Sequence, residues 1–326
     1  MRDILFLSVD DYANIGASLA IAGRTVGMDC VSIAEFHHVF EYSDKSLLLK
    51  DVIGSLFPVE ELQKFADDFK VIVMMHAHPF HYPEGWLCGK RWSQKGIYKR
   101  SWQKWVVFHT VRPIAPGKAN IFNKVVDITI NQTADMFGNG GINEQWLIPS
   151  VDTECIKPVF SDPEMIKKNK ITFRHNPRHE GCKGSVIVNE VMKTFKDKCN
   201  YEFSSEIKPW PENIKRMEQC DVYIVSMGEG EWGITALETA SLGKVVVAQF
   251  GGLSKYEKEY CVCPIIVVEA TGGNTNNPSD LNDAIEKILS FSPERIIELQ
   301  KQTREWVERF HGYKPTGLRL KKLLID

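Results

Sequence analysis

Short, wholly apolar runs alternating with amphipathic ones dominate this sequence and decide its class. ILFLSV at 4–9 is followed by the loop DDYANIG and the amphipathic run ASLAIAGRTVG, which stops at Gly27 as a helix does at a glycine cap. DCVSI then opens a second strand, so the chain begins βαβ. VEELQKFADDF, after Pro58, reads as a helix and KVIVMMHAHP as a strand that ends in histidines. KWVVFHTVRP repeats that design, and KVVDITI and EQWLIPS add two more strands. Strands without polar alternation are covered on both faces, which points to a parallel sheet between helices.

The alternation restarts after PSVDTECIKPVFSDPEMIKKNK, a charged stretch interrupted by prolines. ITF, YEFSS, DVYIVS, KVVVAQ and CPIIVVE read as strands, and GSVIVNEVMKTFKDK, PENIKRMEQC and ITALETASLG as helices between them. Two long helices follow, 278–289 and 293–311, the second carrying Trp306. A chain of 326 residues suits two domains. The expected fold class is therefore α/β, with two Rossmann-like domains in tandem, 1–152 and 153–305, joined by a linker near 151–169. In such sheets ligands bind just beyond the carboxyl ends of the strands.

Forty Lys and Arg against 42 Asp and Glu leave a formal charge of -2, so no global field draws the chain to nucleic acid or membrane. The eight cysteines are scattered, Cys261 and Cys263 being the nearest pair, and no zinc spacing appears. Reduced thiols in a cytoplasmic setting are the expectation, with no metal. No apolar run reaches the roughly 18–20 residues of a membrane span, so no integral membrane segment is expected.

The strand-end loops supply the candidate residues. In the first domain Asn14 and Gly16 sit at a helix start, where backbone N–H groups favour an anion. His76, His78 and His109 end two strands, with Arg112 nearby, and can share a proton or bond a sugar or phosphate near neutrality. Between those strands Lys90, Arg91 and Trp92 belong to a basic, tryptophan-rich segment, 86–105. It suits an acceptor that stacks or carries phosphate, or it is a surface excursion anchored by its tryptophans.

In the second domain Arg174 and Lys183 flank a strand-end loop and suit a diphosphate, whose charge grows as the adjoining bond breaks. The run SMGEGEWGITALETASLG brings Glu229 and Glu231 to a glycine-rich loop. Gly233 lets backbone approach a ligand there, and Gly233, Ile234 and Thr235 open a helix whose N–H groups face it. Glu238 lies one turn further on, among small apolar residues. A buried carboxylate is costly without partners, and the hydroxyls of a ribose would provide them.

Together these residues resemble the retaining glycosyltransferases of family 4, which have the GT-B fold: two facing Rossmann-like domains with parallel sheets and a cleft between them. GEWGITALETASLGKVVV is similar to the family's donor-binding signature, RHNPRHEGCKG to its Arg–Lys-Gly loop, VVFHT to its strand-end histidine, ANIG to its first glycine loop and WLIPSVDTECIKP to its interdomain segment. The resemblance implies that Arg174 and Lys183 hold the donor diphosphate and Glu238 the ribose. Glu229 or Glu231 would touch the sugar, since Gly230 stands where the family has its acid, and His109 would lie by the sugar hydroxyls. The C-terminal stretch, 306–326, would cross back to the first domain.

The implied reaction moves a hexosyl or pentosyl group from a nucleotide diphosphate sugar, UDP- or GDP-linked, to an acceptor hydroxyl with retention of configuration, with no other cofactor. The acceptor is open between glycan, lipid, small molecule, protein and modified nucleic-acid base. A nucleotide-sugar epimerase or phosphorylase, or a non-catalytic nucleotide-sugar or glycan-binding protein, are the alternatives.

Overall fold

The computed structural model describes residues 1–8, 11–35, 38, 40–42, 45–53, 59–75, 98–110, 126–138, 140–228, 232–268 and 278–326. These residues form two compact units, Met1–Ser150 with Tyr313–Asp326, and Val151–Gly312.

In the first unit β1 (Arg2–Ser8), β2 (Cys30–Ala34), β3 (Leu47–Leu48), β4 (Phe69–Met75), β5 (Lys104–His109), β6 (Ile128–Asn131) and β7 (Gln145–Trp146) make one sheet in the order 3-2-1-4-5-6-7. Every neighbouring pair is parallel. Leu5, Leu7, Val31, Ile33, Ile72, Met74 and Val107 fill one core of this unit, beside Leu62 of the helix α3 (Val59–Asp67). The chain runs outward from β1 through β2 and β3, then returns to the other side of β1 at β4. That reversal opens a crevice beyond the carboxyl ends of β1 and β4.

The second unit repeats the plan with β8 (Thr172–His175), β9 (Asn200–Phe203), β10 (Val222–Ile224), β11 (Val245–Gln249) and β12 (Ile266–Val268), in the order 12-11-10-8-9 and again parallel throughout. Here the reversal falls between β8 and β10. Phe173, Val222, Ile224, Val245 and Val247 pack with Val188, Ile285 and Ile288 as the core. The α/β class with two all-parallel sheets is as the alternation predicts.

The segment 151–169, expected as linker, ends in the short helix α4 (Pro163–Asn169), capped by the Asp162 carboxylate, which accepts from Glu164 N at 2.9 Å. The short pieces β3 and α2 (Leu49–Ile53) carry too few residues to show a period. At the other end, the helix with Trp306 stops at His311, because Gly312 turns extended (φ -65°, ψ 172°). A separate helix, α11 (Tyr313–Leu324), packs on α1 (Ile15–Thr25) in the first unit. The residues that join the first unit therefore begin at Tyr313, and Trp306 stays in the second. The two crossings lie side by side, Val151 N donating to His311 O at 3.0 Å.

Candidate functional site

In the second unit the residues beyond β8 and β10 form a single cluster. Met227 N, beyond β10, donates to Lys183 O at 3.0 Å, which joins the two strand-end loops backbone to backbone. Gly228 makes this approach feasible, since a Cβ there would stand 2.3 Å from Cys182 O. His175, last residue of β8, reinforces the join. Its Nδ1 lies 2.8 Å from Ile224 O and its Nε2 2.9 Å from Ser185 Oγ. A carbonyl only accepts, so Nδ1 carries the proton and Nε2 accepts from the serine hydroxyl. Burial pushes this imidazole down to about 4, which keeps it neutral. Ser185 opens the helix α5 (Ser185–Thr194), so the histidine ties the strand end to the helix start that follows the half-buried Lys183.

The loop beyond β10 leads to α7 (Ile234–Ser241). Trp232 is fully packed: its ring stacks on Phe250 at 4.7 Å, meets Trp306 at 5.2 Å and lies edge-on to Tyr256 at 5.0 Å. Tyr256 Oη accepts from Trp306 Nε1 at 2.9 Å and lies 2.8 Å from His311 Nε2. From that anchor the chain turns at Gly233 (φ 57°, ψ -175°), a conformation essentially confined to glycine. Gly233, Ile234 and Thr235 remain half-exposed, so the helix N-terminus is accessible.

Glu238 is buried on the second turn of α7, and its Oε1 accepts from Trp210 Nε1 at 2.6 Å. Burial pushes its carboxyl up to about 7, the indole N–H partly opposing the rise. Trp210 opens α6 (Trp210–Glu218). A carboxylate held this way keeps lone pairs for further hydroxyl donors.

The remaining expected residues are placed as follows. Arg174 lies within β8, buried, with its guanidinium on Glu202 and, at 3.4 Å, on Gln219 Oε1. The structure thus gives Arg174 protein partners at a distance from the Lys183 turn in sequence, whereas Arg178, half-buried with its Nε shielded from solvent, belongs to that turn. Asn14 (φ 57°) and Gly16 are at the start of α1, but Asp11 already occupies that helix end. Its carboxylate accepts from Gly16 N at 2.6 Å and Ala17 N at 2.9 Å, and from Ser46 Oγ at 2.6 Å. A fixed negative charge there opposes a second anion.

His109 ends β5, buried, in register with Asn131. Glu229, Glu231, His76, His78, Lys90, Arg91, Trp92 and Arg112 lie outside the described residues. The end of the basic, tryptophan-rich segment leads into the amino end of β5, opposite His109 in that strand. There Tyr98 and Trp102 are exposed, while Arg100 grips Asp67 with two bonds of 2.8 Å and Lys99 pairs with Asp127 at 2.6 Å.

Sequence reasoning missed His175, Trp210 and Asp11. His175 had a signal, a second polar residue in a buried strand beside Arg174. Trp210 and Asp11 had none stronger than a loop position.

No protein-family model matches the chain, and no curated protein matches it. Solved structures do. HepE of Anabaena in complex with UDP and glucose is 13% identical, with 99% of each chain covered and a TM-score of 0.65. Sucrose-phosphate synthase from Thermosynechococcus elongatus is 13% identical over 99% of this chain and 98% of that one, with a TM-score of 0.58. An alpha-glucosyltransferase in complex with UDP-glucose and DNA containing an abasic site is 9% identical over 99% of each chain, with a TM-score of 0.60. The chain has the GT-B fold. At these identities the likeness is one of fold. Among the described residues no helix is long and apolar enough to cross a membrane.

Proposed function

We propose that this chain is a glycosyltransferase that moves a sugar from a nucleotide diphosphate sugar to an acceptor hydroxyl with retention of anomeric configuration. The observation that carries the reading is Glu238, a buried carboxylate near the start of a helix that is opened by Gly233 and follows β10, the strand whose end loop meets the Lys183 turn. Carboxylate and helix N-terminus match the two ends of a nucleoside diphosphate: vicinal ribose hydroxyls on Glu238, phosphate oxygens on backbone N–H groups and Lys183. UDP bound to HepE and UDP-glucose bound to the alpha-glucosyltransferase are consistent with that assignment.

In the reaction the anomeric C–O bond to the diphosphate breaks and the acceptor oxygen bonds to the same face of the sugar. The acceptor proton passes to the departing diphosphate. Lys183, Arg178 and the N–H groups of 233–235 stabilise the negative charge that develops there. His109 and an acid from Glu229 or Glu231 are the groups assigned to the sugar. Calorimetric titration with UDP, GDP and their glucose conjugates tests the donor site, and the anomeric proton signal of the transferred sugar tests retention. A protein that binds none of these nucleotides excludes the reading. One that binds them and never transfers or hydrolyses the sugar is a binding protein.

A further inference from the structure

Two residues at the strand ends of the second unit hold buried polar atoms that make no hydrogen bond among the described residues. Ser226, two residues beyond β10, is fully buried, and its Oγ has no partner. Asn176, the first residue beyond β8, shields both its Nδ2 and its Oδ1 from solvent, and neither has a partner. The backbone around both is bonded in the ordinary way: Ser226 O accepts from Gln249 N at 2.9 Å, and Asn176 O accepts from Tyr223 Oη at 3.4 Å. The neighbouring side chain, His175, has both ring nitrogens satisfied. Among the described residues the tips of Asn176 and Ser226 are left over, as is Arg174 Nε within β8.

A buried hydroxyl or amide without a partner bears its whole desolvation penalty, and native proteins keep few of them. These lie just beyond the ends of adjacent strands, β8 and β10, at the point where the strand order reverses, which is where ligands enter open parallel sheets. The turn carrying Lys183 and the loop carrying Gly228 start from the same two strand ends.

Resting on the donor reading above, we propose that Asn176 and Ser226 are further donor-contacting residues, whose hydroxyl and amide N–H groups donate to the oxygens of the nucleoside diphosphate. Neutral donors suit this place. They add hydrogen bonds to a charged ligand without adding another fixed charge beside Lys183.

A structural role and a ligand role leave opposite signatures in stability and affinity. The test is titration of UDP into the wild type, Ser226→Ala and Asn176→Ala, alongside thermal unfolding of each without nucleotide. Removing an orphaned group relieves a penalty, so both variants should unfold at or above the wild-type temperature and yet bind UDP about tenfold or more weakly. Ser226→Cys, close to the serine in shape and a poor donor, should show the same loss and guards against a packing defect in the alanine variant. Affinity within twofold of wild type in all three, whatever happens to stability, overturns the proposal alone. A wild type that binds no nucleotide overturns it together with the donor reading.

Discussion

Trp210 Nε1 donates to Glu238 Oε1 at 2.6 Å, so the one carboxylate buried in α7 is oriented by an indole from the start of α6. An acidic group pushed up to about 7 changes charge in the range where enzymes are assayed. Only the ionised form is acceptor on both oxygens. UDP-glucose, which has no phosphate titrating near neutrality, should therefore bind more tightly as pH rises from about 6 to about 8, by up to about tenfold. Glu238→Gln should bind weakly and without that slope. Calorimetry across the range checks it, and a parallel slope in the variant removes Glu238 from the site. Trp210→Phe should shift the slope to higher pH, because the indole N–H favours the carboxylate.

Gly228 sets how closely the two strand-end loops approach. A methyl group there meets Cys182 O at 2.3 Å, backbone against backbone, and neither side can rotate away. Gly228→Ala should lose the bond from Met227 N to Lys183 O, at about 1–3 kcal/mol of stability. UDP affinity should fall by more than that of Lys183→Ala, since the helix start moves with the loop. A urea titration and a UDP titration on the same preparation measure both.

How far the sequence revealed this site depends on which pattern each residue obeys. The apolar strands ILFLSV, DVYIVS and KVVVAQ have no polar alternation, and they stand in parallel sheets as that pattern requires. Gly233 and Glu238 stood out because a helix with a glycine at its mouth and a single acid among small residues breaks the pattern of a core helix. Arg174 is the opposite case. Sequence gives the position of a cation and not its partner, and the partner, Glu202, lies on the neighbouring strand at the same register. Asp11 shows the same limit: nothing local says that its carboxylate folds back onto the helix that begins at Ile15. Three-dimensional pairing decides such cases, and spacing does not encode it.

The return of the C-terminus to the first unit rests on another close approach. A Cβ on Gly317 would stand 2.1 Å from Ala22 O, so α11 lies against the backbone of α1 with no room for a side chain. Gly317→Ala should lift the helix and destabilise the first unit by about 1–3 kcal/mol or more. Limited proteolysis should then release a fragment from Tyr313 onward, whereas Leu318→Ala, at a position 54% exposed, should leave the digest unchanged. Equal protease resistance in the two variants would falsify this account of the docking.

His175 and Glu238 pull the pH dependence of stability in opposite directions. His175 titrates at about 4 in the folded chain, below the 6.5 of a free imidazole, so between those values the folded state binds fewer protons than the unfolded one. Its contribution is full above 6.5 and is lost as pH falls toward 4. Glu238 titrates at about 7, above its free value of 4.5, so between those values the folded state binds more protons. Its contribution is full below 4.5 and is lost as pH rises toward 7. Each amounts to about 3 kcal/mol across its window. From 4.5 to 6.5 the two slopes oppose each other, and these two groups together should leave wild-type stability nearly level. Glu238→Gln exposes the histidine alone, and its urea midpoint should climb with pH over that interval. His175→Asn exposes the glutamate, and its midpoint should fall. Urea unfolding at four pH values between 4.5 and 7.5 separates the cases, and variant curves that run parallel to wild type would remove both groups as the source.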